Sequence, residues 1–257
     1  MKFFIINLAT SIDRRERMQK SIDKWRALNP NLARDFSFEF FKASTPEDIK
    51  ASGFINRYDR FLAWVWKARE VRDTELACFA SHYGLWEKCV ELNEPIFILE
   101  DDLDINCNFG SGAMDIASSP YEYVRFCWST FRRMLLVNDR FAFGHPLILG
   151  AGGYYITPGA AKKLIKGAHR IYIALDYYLS HSYLHGVVEM VYMRPLVTLN
   201  ELDRNSTIGK PEHVVRSVED KARYKKFVAL RELHRIYRQF RTACFALSRV
   251  FSIKSKW

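Results

Sequence analysis

The chain of 257 residues reads as an α/β protein built on a mainly parallel central sheet. Three observations predict this class. Apolar runs of strand length recur, stretches with helical spacing separate them, and the run Pro95-Ile96-Phe97-Ile98-Leu99 stops abruptly at Glu100-Asp101-Asp102. A short continuous apolar run reads as a strand covered on both faces. Strands alternating with helices argue a mainly parallel sheet, whose ligands bind at the carboxyl ends of the strands.

The first strand is Phe3-Phe4-Ile5-Ile6-Asn7-Leu8, an opening too short for a signal peptide and without a small-residue cleavage site. Ser11 to about Leu28 follows as a helix, with Ile12, Met18, Ile22 and Trp25 as its buried positions. Phe36-Ser37-Phe38-Glu39-Phe40-Phe41 alternates and suits a second strand. Residues 43–72 show little periodicity despite Phe54, Tyr58, Phe61, Trp64 and Trp66, and read as a lid or binding loop. Thr74 is placed to cap a helix carrying Leu76, Phe79, Tyr83, Trp86 and Val90 at helical spacing, which feeds the strand ending at Glu100. Tyr121 to Trp128 is a further strand. Leu147-Ile148-Leu149 leads through Gly150-Ala151-Gly152-Gly153 to an extended Tyr154–Thr157, and Pro158 starts a helix through Lys166. Val187 to Met193 is a later strand, stopped by Pro195.

The net charge of +10 is confined to one end. Residues 221–257 hold eleven Lys/Arg and one acid, Glu232, while residues 1–220 hold 28 of each sign, which divides the chain into a domain (1–220) and a basic tail (221–257). In the tail, Phe227, Leu230, Leu233, Tyr237, Phe240, Cys244, Leu247 and Phe251 recur every three or four residues. A basic amphipathic helix of this kind suits an anionic membrane surface, and packing on the domain or in a homodimer is its alternative fate. No motif for nucleic acid accompanies the charge. No apolar stretch is long enough to span a bilayer. Five dispersed cysteines without a CxxC pair suit reduced thiols, and the expected location is cytoplasmic, peripheral on the inner membrane.

Three adjacent carboxylates at a strand end raise one another's pKa and favour a bound cation. A divalent metal carrying a nucleotide diphosphate is the usual occupant. Side chains two apart on an extended chain share a face, so Glu100 and Asp102 converge while Asp101 points away. Asp102 and Asp104 form the same pattern, and Asp104 is the competing partner.

Three segments in order resemble glycosyltransferase family 25, the bacterial lipooligosaccharide glycosyltransferases related to collagen galactosyltransferases. They are Ile6-Asn7-Leu8 with Asp13-Arg14-Arg15; Glu75 to Tyr83 with Trp86 and Ile98 to Asp102; and Gly150 to Ile156 with Gly159-Ala160-Ala161-Lys162. The resemblance covers roughly residues 2–208. It implies a GT-A fold, a sugar-nucleotide donor and inverting transfer to a carbohydrate hydroxyl. The function it implies is a hexosyltransferase that moves galactose from UDP-galactose onto a lipid-linked lipooligosaccharide; a glucosyltransferase of the same family using UDP-glucose, a nucleotidyltransferase and a non-catalytic membrane-surface module are the alternatives. The resemblance places Asn7, Leu8, Arg14, Arg15, Ser81, His82, Glu100, Gly152 and Gly153 at the donor. It places a divalent ion, Mn2+, on Asp102 with Glu100 or Asp104. Asp176, at a helix start after an apolar run, is the expected base for the acceptor hydroxyl, with Glu201 and Asp203 in reserve. Asn205, Ser206 and Ile208 resemble a terminal motif of the family.

Overall fold

Residues 1–67, 69–131, 134–144, 147–200, 225 and 227–254 are described by the computed structural model. Strand β1 (Lys2–Asn7) leads to α1 (Ile12–Leu28), the short α2 (Pro30–Ala33) and β2 (Ser37–Lys42). Next come α3 (Pro46–Ala51), α4 (Arg60–Lys67), α5 (Asp73–Leu92), β3 (Ile96–Glu100), β4 (Leu103–Ile105) and α6 (Phe109–Ala117). Then follow β5 (Tyr123–Cys127), β6 (Thr130–Phe131), β7 (Met134–Leu136), β8 (Phe141–Gly144), β9 (Ile148–Leu149) and β10 (Gly153–Ile156). The chain continues through α7 (Pro158–Gly167), α8 (Leu175–Ser180), β11 (Met190–Tyr192), β12 (Val197–Leu199) and α9 (Val228–Lys254).

Eight strands form one sheet in the order β2-β1-β3-β10-β5-β11-β8-β7. β1 pairs in parallel with β2 and β3, and β11 with β5, while β10 and β8 oppose their neighbours. Six of the eight strands thus point one way, and β10, near the centre, is reversed. Two small hairpin-like pairs, β4 with β12 and β6 with β9, lie outside this sheet.

Alternation along the strands sends side chains to two cores. Phe4, Ile6, Ile98 and Tyr154 face α5 and α7, while Phe3, Ile5, Phe97, Leu99 and Phe126 face α1 and α6. On the second face Phe3 stacks on Phe97 with ring centroids 4.5 Å apart, and on Phe36 and Phe38 at 5.2 and 5.0 Å. Each fully buried aromatic contributes roughly 1.5–3 kcal/mol. That cluster ties β1, β2 and β3 together, so the carboxyl ends of these strands are held as one rigid edge.

Several local expectations need correction. Residues 43–72 are largely helical: a capping box starts α3, where Thr45 accepts from the Asp48 N–H and Asp48 accepts from the Thr45 N–H. α4 then buries Trp64 and Trp66 in the core. Thr74 does not cap α5; the helix begins at Asp73, and Glu75 reaches back to the Arg72 N–H at 2.9 Å. Ile12 is 64% exposed and Arg14 takes the buried phase of α1 instead.

Most of the basic tail forms α9, which docks mainly through His234 and Arg238, off the apolar stripe, with Phe227 just before it as the stripe's contribution. Arg238 lies over the Trp66 ring at 4.2 Å, His234 meets the same indole edge-on, and Phe227 meets Phe61. Leu233, Tyr237, Phe240 and Leu247 are left exposed. Among the described residues no helix is long and apolar enough to cross a membrane.

Candidate active site at the strand ends

A cleft opens where β1, β2 and β3 end beside the first half of α5. It is lined by Leu8, Ser11 and Arg14, by Ser44 and Pro46, by Cys78, Ser81 and His82, and by Glu100, Asp101 and Asp102. The loops fit because small side chains pin them. Ser81 Oγ donates to the Ala77 carbonyl one turn back and accepts from the Ser44 N–H at 2.8 Å, drawing the loop after β2 onto α5.

The acid triplet divides its work differently from the expectation. Residues 101 and 102 form a turn, so strand alternation ends at Glu100. Asp101, expected to point away, is held inside: its carboxylate accepts from Asn7 Nδ2 at 2.7 Å and pairs with Arg14 at 3.4 Å. Asn7 also donates to the Ser11 carbonyl, so β1, the start of α1 and the turn after β3 are tied at one point. Asp102, by contrast, keeps a buried carboxylate oxygen, Oδ1, with no hydrogen-bond partner. Burial, then the Glu100 charge, pushes its pKa up to about 7. Glu100 is likewise pushed up to about 7, by burial first and then by Asp176 and Asp101. A buried, unpaired carboxylate oxygen beside a second crowded acid is what a hard divalent cation satisfies, so these residues fit an ion with oxygen ligands.

Asp176 is the second residue of α8, with Ala174 rather than Asp176 at the cap. Its carboxylate accepts from the Gly150 N–H at 3.1 Å. It stands close enough to raise the pKa of Glu100 and of Cys78, although it is not among the residues that line the cleft. Gly150 is the glycine that needs its conformation: φ is +90°, and a Cβ there would meet the Ser129 backbone N at 2.8 Å. Its carbonyl accepts from Arg125, which is fully buried and paired with the buried Glu189 at 2.6 Å. Burial holds Glu189 up at about 7 against the pull of Arg125. Breaking such a pair by removing one partner typically costs roughly 3–5 kcal/mol. The pair anchors the turn that positions Asp176.

Other expected site residues lie elsewhere. Arg15 is exposed, with its guanidinium over the Phe40 ring at 4.4 Å on the outside of β2. Helical phase separates it from Arg14. Asp104 lines a different cleft with Arg17, Lys20 and Asn200, because it lies on β4 after the turn has redirected the chain. Gly152 and Gly153 are buried in the sheet. A Cβ on Gly153 would come within 2.5 Å of Phe126, and the Gly152 carbonyl accepts from the Glu100 N–H at 2.9 Å. Gly153 serves close packing and the Gly152 carbonyl the placement of the acid turn, and neither is among the residues that line the cleft. Glu201, Asp203, Asn205, Ser206 and Ile208 lie outside the described residues.

His82 was singled out for the site from sequence, but Arg125, Glu189 and the Trp86 and Tyr154 side chains that hold His82 were not. Arg125 and Glu189 had a signal: each is one charge, of opposite sign, interrupting an apolar strand run. Tyr154 had none, since its hydroxyl is matched with residues 68 and 72 positions away.

An α/β sheet whose strand ends bring paired acids and an arginine to one cleft has its site where sheets of this class bind ligands. The chain belongs to glycosyltransferase family 25: the profile of that family, described as "Glycosyltransferase family 25 (LPS biosynthesis protein)", matches residues 1–142. The chain is 32% identical over 101 residues to the lipooligosaccharide biosynthesis protein lic2B of Haemophilus influenzae, covering 39% of this chain and 33% of that one. It is 28% identical over 175 residues to a glycosyltransferase 25 family member of Anopheles gambiae, covering 63% of this chain and 28% of that one. The matched part therefore spans about a third or less of these relatives. A glycosyltransferase involved in glycosylating the major capsid protein of PBCV-1 superposes with a TM-score of 0.43 at 10% identity, covering 77% of this chain and 92% of that one. The inositol-1-phosphate CTP transferase of T. maritima superposes with a TM-score of 0.35 at 11% identity, covering 80% and 92%.

Proposed function

We propose that this chain transfers a hexose, galactose from UDP-galactose, with inversion onto a saccharide acceptor of bacterial lipooligosaccharide. Family membership supports sugar transfer, and the named role of the lic2B relative supports the acceptor class. The observation that carries the reading is the buried, unpartnered Asp102 oxygen in a cleft that Glu100 also lines, with Asp176 near enough to raise the Glu100 pKa.

In this reading the donor diphosphate lies at the ends of β1 and β3, with Asp101 holding Asn7 and Arg14 in place beneath it. A divalent ion on Asp102 and Glu100, Mn2+ in our reading, would offset the negative charge that grows on the leaving diphosphate. Asp176 accepts the acceptor hydroxyl's proton as that oxygen attacks the anomeric carbon. The Gly150 N–H bond holds that carboxylate in place. Glucose in place of galactose is the nearest alternative, since the two donors differ only at the 4-hydroxyl.

The exposed stripe of α9, ringed by arginines, supports a further part of the reading: the tail holds the enzyme at an anionic membrane where a lipid-linked acceptor resides, on the cytoplasmic face. Thermal shift with UDP-galactose, UDP-glucose and CMP- or CDP-linked donors, with and without Mn2+, tests the assignment. A rise in melting temperature for a UDP-hexose that needs Mn2+ is expected, because only a ligand of the folded state stabilises it. No response to any sugar nucleotide would overturn it.

A further inference from the structure

The inner wall of the cleft carries a second donor set of different chemistry. Cys78 and His82 are four residues apart on α5, so they stand one above the other on the same helical face. Glu100 meets them from the end of β3. The Cys78 sulfur, a His82 ring nitrogen and a Glu100 oxygen all lie within 4.8 Å of one another. His82 Nε2 stands 3.5 Å from Glu100 Oε1. Donor atoms around a tetrahedral zinc, at bonds of roughly 2.0–2.3 Å, are themselves roughly 3.3–3.8 Å apart. The histidine–carboxylate edge is already at that separation, and the half-buried Cys78 sulfur lies within 4.8 Å of both.

His82 is the second and independent observation. It is 1% exposed, its Nδ1 lies 2.8 Å from the Tyr154 hydroxyl, and its Nε2 has no hydrogen bond although it is aimed into the cleft. Tyr154 is itself fixed by the Trp86 indole N–H at 2.9 Å. A histidine whose far nitrogen is anchored and whose near nitrogen is free has the outer-shell arrangement of a metal ligand. In the tautomer whose Nδ1–H donates to the Tyr154 hydroxyl, the lone pair sits at Nε2.

We propose that Cys78, His82 and Glu100 form a site for a thiophilic divalent ion of the Zn2+ type, with its fourth position open to the cleft. Mixed sulfur, nitrogen and oxygen donors select such an ion, whereas the all-oxygen pair of Asp102 and Glu100 suits Mn2+ or Mg2+. On binding, the Cys78 thiol gives its proton to the buffer and the thiolate bonds the ion. Because Glu100 belongs to both sets, the two ions compete for it, and zinc at the inner site displaces the hard ion. That last consequence rests on the donor reading of the cleft; binding itself does not.

The test uses the full chain without any sugar nucleotide, with Co2+ as the optical probe and Zn2+ as its competitor. One equivalent of Co2+ should give an intense near-ultraviolet thiolate-to-cobalt band that Zn2+ abolishes. Cys78→Ala and Cys78→Ser should each lose the band and weaken Zn2+ binding by calorimetry at least about tenfold. A double change of the exposed Cys107 and Cys244 to alanine should keep it. Absence of a thiolate band in the wild-type protein, or its survival in either folded Cys78 variant, overturns the proposal. Mn2+-dependent UDP-sugar binding that persists while the cobalt band is absent would sink the zinc site and leave the transferase reading intact.

Discussion

The turn after β3 and the helix α9 each gather charge mainly of one sign, and they handle it in opposite ways. At the turn, three neighbouring acids have three distinct fates: Asp101 is neutralised by Asn7 and Arg14, Asp102 is buried with an oxygen unpartnered, and Glu100 lies between Asp176 and His82. Moving any one by a bond length changes what it does. On α9 the cations are spread around an exposed helix, and its attraction for an anionic surface is a sum of about 1 kcal/mol per basic side chain. The first region acts by position and the second by total. Substitution should therefore be severe and specific at the turn, and gradual and additive on the helix.

The largest expected effect tests position at its extreme. Asp176→Asn should lower hexose transfer by about 100- to 10,000-fold while UDP-sugar affinity stays near wild type. Asparagine can still accept from the Gly150 N–H, so the turn survives. Steady-state rates beside donor calorimetry decide it, and a mutant keeping most of its rate removes Asp176 from the chemistry.

Asp102→Asn should lower turnover on the order of 100-fold through weaker stabilisation of the leaving group. It should also raise the melting temperature of the metal-free protein above pH 7. The sign follows from linkage. The folded-state pKa of Asp102, about 7, lies above its unfolded value near 4. Its contribution therefore falls as pH rises between these values, and the anion remains a cost above them. Wild-type activity unchanged after exhaustive EDTA treatment would end the metal role.

A smaller effect is expected from pH alone. Mn2+ must displace protons from carboxyls that titrate near 7, so its affinity should weaken about tenfold per carboxylate between pH 8 and pH 6. Calorimetry in buffers of different ionisation heat counts the protons released. A flat profile would mean that the ion lies elsewhere.

The smallest effect on catalysis belongs to α9. Replacing Leu233, Phe240 and Leu247 with serine should abolish flotation with anionic liposomes yet leave transfer to a short soluble acceptor unchanged, because those side chains are exposed and the docking face at Trp66 is untouched. High salt should weaken flotation only in part, since the apolar stripe is not screened. A wild-type protein that ignores anionic lipid and runs as a dimer would assign the stripe to a second copy instead.

What the sequence made legible was whatever a local pattern determines. β1, β3 and the α7 start at Pro158 follow from apolar runs and a proline, and the acid cluster followed from its place after β3. The phase of α1 could have separated Arg14 from Arg15, but Ile12 suggested a different buried face. The reversal of β10 and the inward turn of Asp101 were out of reach, since each depends on partners about 55 and 90 residues distant. The helices within 43–72 were hidden because Trp64 and Trp66, two residues apart, lie on nearly opposite sides of α4 yet are both buried, which gives no clean helical period.

The reversed strand also sets the order in which the molecule can be completed. The segment matched by the family profile ends at residue 142, before β10 and β11 have been made. A nascent chain of that length has β3 and β5 with open edges facing each other, and the Glu100 N–H waits for the Gly152 carbonyl. Until residues 153–156 slide between them, those edges are free to pair with any other extended chain. The strand that closes the sheet thus also ends the window of greatest aggregation risk, and a fragment cut at the end of the profile would hold every acid of the turn without the strand that keeps them in place.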